Sequence, residues 1–264
     1  MAQALRDGAA RCTCSLDLGL TSCEVGVGAT DFQWGACVYP RPTTLKDRTI
    51  YYWSGTAFEP AATYAGSLLK LVPTEWGAPT FEIDGIKMLP SATESPFEDA
   101  RRKVELVGVK RRRVLDTCGG LGYFAAWCQR LGAARILSCE KNSQVLWLRS
   151  LNPWSPSADA VLEVLNVAIE RHIASLPSAS FDVILHDPPR FGIAGELYAR
   201  TFYEELARVL RPGGTLFHYT GSPNRLTSGR DVPGEVLRRL QQCGFQARRA
   251  LDGVLARSVF KPVR

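Results

Sequence analysis

The sequence predicts an α/β fold: a doubly wound sheet of seven strands, preceded by a small β-rich domain. Three observations carry this. Residues 12–90 run through short stretches that alternate in period two, separated by Gly, Pro and Thr clusters, as short strands do. From residue 96 onward, strand-like runs alternate with helical ones, the pattern of a sheet covered by helices on both faces. A glycine-rich turn, "VLDTCGGLGY" (114–123), follows the first of those runs directly. In such sheets ligands bind beyond the carboxyl ends of the strands.

In the first domain, strands are expected at 12–20 and 21–27 and in "FQWGACVY", "TIYYWSG", "SLLKLV" and "TFEIDGIKML". At "SATESPFEDARRKVELVGV" the pattern becomes helical, with Ser95 as N-cap, Pro96 at the first position and acids in the first turn. This places a boundary near residue 95 and divides the chain into domains 1–95 and 96–264. Beyond it, strands are expected at 112–117, 134–140, 160–166, 181–187, 214–220, 245–251 and 253–261. Helices are expected at 122–131, 143–151, 196–210 and 233–242. The short link Asp252-Gly253 between the last two strands favours an antiparallel hairpin.

With 45% apolar and 22% charged residues among 264, the composition is that of an ordinary globular protein. No run approaches the roughly 20 apolar residues of a bilayer-spanning helix, and "MAQALRDGAARC" lacks the apolar core of a signal peptide. A cytoplasmic protein with reduced thiols is therefore expected. Among the eight cysteines, the group Cys12, Cys14, Cys23 and Cys37 contains no CxxC pair, and its alternation reads as strand-face packing rather than a metal site. The net charge of +6 is uneven: residues 1–95 hold 7 Lys and Arg against 10 Asp and Glu, residues 96–264 hold 25 against 16. Arginine leads the excess, in Lys110-Arg111-Arg112-Arg113, Arg238-Arg239 and Arg248-Arg249. Such runs suit phosphate contacts or a solvated surface, and composition leaves both open.

The glycine turn is the first candidate site. Gly119, Gly120 and Gly122 allow a tight bend and close approach to a ligand, and the following helix offers free N–H groups. Glu140 lies 24 residues after Asp116, at the end of the second strand, where a carboxylate can accept hydrogen bonds from both ribose hydroxyls of a nucleoside cofactor. GxGxxG is absent and no Gly-Lys-Ser/Thr follows, which argues against dinucleotide and P-loop sites. An acid in the loop itself, Asp116, repels a pyrophosphate but tolerates the cationic end of S-adenosylmethionine. Thr117 and Cys118 complete the expected cofactor loop, and Asn166, ending the third strand, is the candidate for the adenine edge.

The second candidate site is "HDPPRF" (186–191). Asp187 ends the fourth strand, so it emerges beside the cofactor pocket. In amino methyl transfer, an acid and a proline-flanked carbonyl accept hydrogen bonds from an amine on a planar base and draw the nitrogen lone pair toward the methyl group. Pro188 and Pro189 stiffen the loop. Arg190 stands where an aromatic usually follows and suits a phosphate; Phe191, one residue on, suits stacking on a base. Asp-Pro-Pro-Arg also occurs in carbon-5 pyrimidine methylation. That chemistry needs a nucleophilic cysteine on the turn after the next strand, where this chain has "HYTGSPNR" with Thr220 and Ser222 but no thiol. His186, His218, Tyr219, Arg225 and Arg230 are candidate substrate contacts, and Trp154 of "LNPWS" is placed either near the adenine or in the core.

Together with "CEKN", "GELY", "FYEELARVLRPGGTLFHYTG" and "RDVP", these blocks resemble class I S-adenosylmethionine-dependent methyltransferases. More narrowly, they resemble a methyltransferase family best known from archaeal genomes, with DTCxGLGY and HDPPRF motifs. The likeness extends upstream through "SLDLGLTSCEV" and "APTFEIDGIKM". It implies a Rossmann-like seven-stranded sheet, S-adenosyl-L-methionine as cofactor, and catalysis around Asp187. Two departures stand out: Cys118 replaces the first glycine of the usual loop, and Leu89 follows "GIKM" where the family is expected to carry histidine. The resulting expectation is methylation of a base nitrogen in RNA, rRNA or tRNA, with the β domain docking the RNA. The alternatives are N-methylation of a small amine or protein side chain, and a non-catalytic nucleic-acid-binding module. Aminopropyl transfer shares the fold but usually follows a loop of three glycines and an acid, which is missing here.

Overall fold

The computed structural model describes residues 4, 6–42, 44–221 and 231–259. The chain forms two compact units, one of Met1–Pro96 with Ser150–Trp154, the other of Phe97–Arg149 with Ser155–Arg264.

The first unit is built from antiparallel ladders. β1 (Arg11–Cys14), β2 (Cys23–Val27), β3 (Asp31–Trp34) and β4 (Cys37–Pro40) form one four-stranded meander. β5 (Tyr51–Trp53) pairs with β6 (Phe58–Pro60), and β7 (Ala62–Tyr64), β8 (Leu68–Val72), β9 (Thr80–Ile83) and β10 (Ile86–Lys87) form a second meander. The strand expected over 12–20 stops at Cys14. There Ser15 Oγ accepts from the Gly19 N–H at 2.7 Å and Asp17 Oδ1 from the Thr21 N–H at 2.9 Å, side-chain bonds that divert the backbone from a ladder. "FQWGACVY" is a hairpin rather than one strand, turning at Gly35-Ala36 between the paired Trp34 and Cys37. "TFEIDGIKML" likewise turns at Asp84-Gly85, whose φ angles of 49° and 80° match the twist of a two-residue hairpin loop. An aromatic cluster fills one side of this unit: Phe32 stacks on Tyr39 at 5.2 Å and on Phe58 at 5.6 Å. Cys12 and Cys14 share one face of β1, half-buried, with Cys14 opposite Cys23, and all eight cysteines are free.

The second unit begins with α1 (Pro96–Val107), followed by β11 (Arg113–Asp116), α2 (Tyr123–Arg130), β12 (Arg135–Cys139), α3 (Ser143–Leu151) and β13 (Leu162–Leu165). It continues with α4 (Ile169–His172), β14 (Phe181–His186), α5 (Arg200–Val209), β15 (Leu210–Tyr219), α6 (Val232–Gln242), β16 (Phe245–Ala250) and β17 (Gly253–Ser258). The strands form one sheet in the order β13-β12-β11-β14-β15-β17-β16. Neighbours from β13 to β15 are parallel, and β17 runs antiparallel to β15 and β16, so the expected terminal hairpin is present. The central strands read as unbroken apolar runs because both faces are covered: Val114, Leu115, Ile136, Val183, Ile184 and Leu216 are all fully buried. β15 begins four residues before the expected start. A register shift between Phe181 and Val183 absorbs the extra residues, so "RPGG" joins the strand instead of forming a loop. Strand order reverses beside β11, which opens a crevice at the carboxyl ends of β11 and β14. Among the described residues, no helix is long and apolar enough to cross a membrane.

Candidate active site

The loop after β11 is shaped from beneath by an arginine. Arg149 projects from α3, is 5% exposed, and its Nη1 donates to Ser138 Oγ at 3.2 Å. Ser138 in turn donates to Asp116 Oδ2 at 2.8 Å. A Cβ on Gly122, whose φ is 80°, would stand 2.5 Å from Arg149 Cζ, and one on Gly119 would collide with Ser138 Oγ. These two glycines are therefore required by the protein beneath the loop. Gly120 also has positive φ, at 49°, whereas Cys118 does not, so a side chain is tolerated where the usual loop has glycine. Burial lifts the Asp116 carboxyl to about 6, with the Ser138 hydrogen bond and the Arg149 charge pulling it down. Burial likewise keeps the Cys118 thiol protonated.

Glu140, at the end of β12, closes the other side of the crevice. Its Oε2 accepts from the Gly120 N–H at 3.0 Å and its Oε1 from the Asn142 N–H at 2.9 Å. Each oxygen keeps a lone pair for a ligand hydroxyl. Asn166 is brought to the same place, but its amide donates to the Glu140 carbonyl at 2.8 Å and braces that turn. Asp116 Oδ1 and Arg149 Nη2 are buried and find no hydrogen-bond partner among the described residues. An open acceptor, Asp116 Oδ1, beside a glycine bend, with the Glu140 carboxylate across from it, fits a nucleoside that carries a cationic amino-acid tail.

Asp187 follows β14 directly. His186 is in register with His218, and Tyr219 with Gly253, so Asp187, Tyr219 and Gly253 come to one level across three neighbouring strands, and Asp252 follows one residue on, its carbonyl accepting from the Thr220 N–H at 3.2 Å. Against this row lies Lys103 of α1, 1% exposed. Its Nζ is 2.6 Å from Asp99 Oδ2, 3.3 Å from Asp252 Oδ2 and 4.1 Å from the centroid of the Tyr219 ring. Burial pushes the Asp187 carboxyl up to about 7; Lys103 opposes this while Asp99, Asp252 and Asp116 add to it. Burial works against the Lys103 charge, but Asp187, Asp99 and Asp252 together hold its pKa above the ordinary range. The Asp187 carboxylate makes no hydrogen bond to another described residue, so it is open to a ligand N–H.

The neighbours of Asp187 divide into site and scaffold. The Pro189 carbonyl accepts from the Tyr198 hydroxyl at 3.1 Å. Phe191 is half-buried, its ring edge-on to Tyr198 at 5.4 Å, so less of its face is open to stacking than expected. Arg190 is exposed and forms no ion pair with another described residue. His186 and His218 are corrected from acceptor contacts to scaffold. Both are 0% exposed with both ring nitrogens engaged: His186 with Thr117 Oγ1 at 2.7 Å and the Leu197 carbonyl at 3.1 Å, His218 with Tyr203 Oη at 2.9 Å and the Tyr219 carbonyl at 2.8 Å. Burial lowers both, His218 to about 4, so they remain neutral.

Other sequence candidates lie elsewhere. Arg225 and Arg230 fall outside the described residues. Trp154 belongs to the first unit, where its Nε1 donates to the Leu18 carbonyl at 3.1 Å, a packing contact within that unit. Leu89 also lies in that unit, its backbone bonded to Thr80 Oγ1 at 3.3 Å through both N–H and carbonyl. The run Lys110-Arg111-Arg112-Arg113 leads into the amino-terminal end of β11, the opposite end of that strand from the glycine loop. Sequence reasoning missed Arg149, Lys103, Asp99, Asp252 and Tyr198. The one local signal was the i, i+4 spacing of Asp99 and Lys103.

Residues 115–218 match the family described as a methyltransferase domain. Over 222 residues the chain is 41% identical to an uncharacterized protein from Methanocaldococcus jannaschii, covering 82% of this chain and 75% of that protein. A spermidine synthase in complex with the transition state analogue AdoDATO is similar in fold, with a TM-score of 0.60 and 16% identity over 84% of each chain. A spermidine synthase from Thermotoga maritima gives a TM-score of 0.56 and 16% identity, over 83% of this chain and 80% of that one. At such identities these two likenesses concern the fold.

Proposed function

Because the chain belongs to the same family as the Methanocaldococcus jannaschii protein and carries an S-adenosylmethionine-dependent methyltransferase domain, we propose that it methylates an acceptor nitrogen held at Asp187, and that this nitrogen belongs to a base in RNA. The observation that carries the first part is the Asp187 carboxylate itself: it stands at a strand end beside the glycine loop, open to a ligand N–H and titrating near neutrality at about 7.

The bound cofactor supplies an electrophilic methyl group on a sulfonium. Gly119, Gly120 and Gly122 would shape the bend that receives it, Asp116 would meet its cationic tail, and the spare lone pairs of Glu140 would accept its ribose hydroxyls. Asn166 fixes the Glu140 carbonyl. Asp187 accepts the N–H of the acceptor, which turns the nitrogen lone pair toward the methyl carbon. When the nitrogen takes the methyl group it would gain positive charge, and Asp187 would accept the proton it gives up. We assign the second N–H to the Pro188 carbonyl, which lies between two stiff residues and makes no hydrogen bond to other described residues.

The support for RNA is the Asp-Pro-Pro geometry together with cations that lack acidic partners. Arg190, Lys110, Arg111, Arg112 and Arg113 form no ion pair with other described residues, while Arg200, Arg208, Arg211, Arg239 and Arg249 each face a carboxylate. A second reading, a small cationic amine as acceptor, is favoured by the local charge: Asp99, Asp252 and Asp187 outnumber Lys103. The test is labelled cofactor with total RNA and, separately, with a mixture of small amines. Label in RNA that falls steeply as salt rises supports the first reading. Label in the amines, insensitive to salt, supports the second. Cofactor binding with no transfer to any acceptor would leave only the non-catalytic module.

A further inference from the structure

Methyl transfer at Asp187 leaves one buried charge without a role. Lys103 lies on an otherwise ordinary amphipathic helix, yet its side chain is turned into the protein. A lysine needing only one partner could keep the Asp99 pair at the surface, where such a pair contributes little and is inexpensive to hold. Buried ammonium groups are instead costly unless several partners compensate. Here the partners come from three elements: Asp99 on α1, Asp252 in the turn between β16 and β17, and the ring of Tyr219 at the end of β15. Asp252 Oδ1 is itself buried with no hydrogen-bond partner among the described residues, so Lys103 is the group that compensates that carboxylate. Register brings Tyr219 level with Asp187, and Asp252 is next to Gly253, the residue opposite Tyr219.

We infer that Lys103 is a positioning residue of the acceptor site: clamped by Asp99 and Asp252 and seated on the Tyr219 ring, its ammonium is the fixed counter-charge that faces Asp187. This rests on Asp187 being the acceptor carboxylate. The charges that act on Asp187 come from Lys103 and Asp99 on α1, Asp252 in the hairpin turn and Asp116 at the end of β11. Its own charge acts in turn on Cys118, Tyr198 and Tyr219, and Arg190 acts on Tyr219. Lys103 is the one cation in this set that is buried. Without it, Asp99, Asp252 and Asp187 crowd three carboxylates onto one floor, and Asp187 holds its proton through the pH range in which it must act as a base.

The test needs no acceptor. Full-length protein is labelled with carboxyl-carbon-13 aspartate, the Asp187 resonance is assigned through Asp187→Asn, and its midpoint is followed by NMR. Lys103→Met is expected to raise the midpoint by about 1–3 pH units, the size of an opposite charge at close range. Lys103→Arg is expected to restore it. Asp252→Asn, which removes a neighbouring negative charge and keeps the Lys103–Asp99 pair, is expected to lower it, and it carries the test if Lys103→Met does not fold. A folded Lys103→Met protein with an unmoved Asp187 midpoint, or an Asp252→Asn protein whose midpoint stays or rises, overturns the inference. Failure of the methyl-transfer reading is read separately, as undiminished transfer by Asp187→Asn.

Discussion

Replacing Gly122 by alanine tests whether the glycine loop answers to the protein or to its ligand. Two contributions add. At φ 80° an L-residue occupies left-handed backbone, at about 1–2 kcal/mol. The new methyl would also stand 2.5 Å from Arg149 Cζ and 2.7 Å from Nε and Nη2. The guanidinium cannot swing aside, because it is 5% exposed and tied to Ser138. Overpacking of this kind costs about 1–3 kcal/mol. The total of about 2–5 kcal/mol corresponds, at about 2–4 °C per kcal/mol for a domain of roughly 150–250 residues, to a Tm lowered by roughly 4–20 °C. Gly108→Ala isolates the backbone part: φ is 64° there, but nothing lies within 4 Å of the added carbon. That variant should lose about 1–2 kcal/mol, or roughly 2–8 °C. Thermal unfolding followed by circular dichroism, without ligand, measures both. If Gly122→Ala loses no more than Gly108→Ala, the claim that Arg149 dictates the glycine is wrong.

Glu140→Ala removes the acceptors on the far side of the crevice and should weaken S-adenosylmethionine binding at least about tenfold by calorimetry, equivalent to roughly 1.4 kcal/mol. Asp187→Asn should slow methyl transfer by about 10²–10⁴ while leaving cofactor affinity within a few-fold, in assays on whichever acceptor takes label. The same variant has a pH signature. Burial raises the folded-state carboxyl from 3.8 to about 7, so the folded wild type binds this proton more tightly than the unfolded chain and loses stability as pH rises through that window. Asp187→Asn should therefore melt above wild type at pH 8 and level with it near pH 4; an advantage that grows toward low pH refutes the assignment. Tyr203→Phe strips the hydroxyl that meets His218 Nε2 and should cost about 1–3 kcal/mol in urea unfolding, because the ring nitrogen stays buried without a partner.

How much of this was legible from sequence depends on how local each signal is. The inner strands could be read because burial on both faces makes Val114-Leu115 and Val183-Ile184-Leu185 continuous apolar runs. The glycine turn and the acid ending β12 were legible for the same reason, being pinned to strand ends by spacing. In the first unit, Gly35 and Asp84-Gly85 were passed over as strand interior although both are hairpin turns, and β6 and β7 are only three residues each, too short for alternation to show. Lys103 and Arg149 were invisible because a charged residue on a helix normally marks the wet face. The partners that pull Lys103 inward include Asp252, far along the chain, and Arg149 is claimed by the strand before its own helix. His186 and His218 misled for the opposite reason. Their position beside Asp187 advertises chemistry, while the groups that occupy them, Thr117 and Tyr203, belong to other segments.

The arginine beneath the loop also bears on how such chains diverge. A descendant that had abandoned catalysis would still be held to glycine at 119 and 122, since Ser138 and Arg149 leave no room for a methyl group whether or not anything binds above. Position 187 enjoys no such protection, because no other described side chain leans on its carboxylate through a hydrogen bond. In distant relatives, then, surviving glycines record inherited packing, and under the role proposed for Asp187 it is the acid after β14 that reports whether the chemistry has been kept.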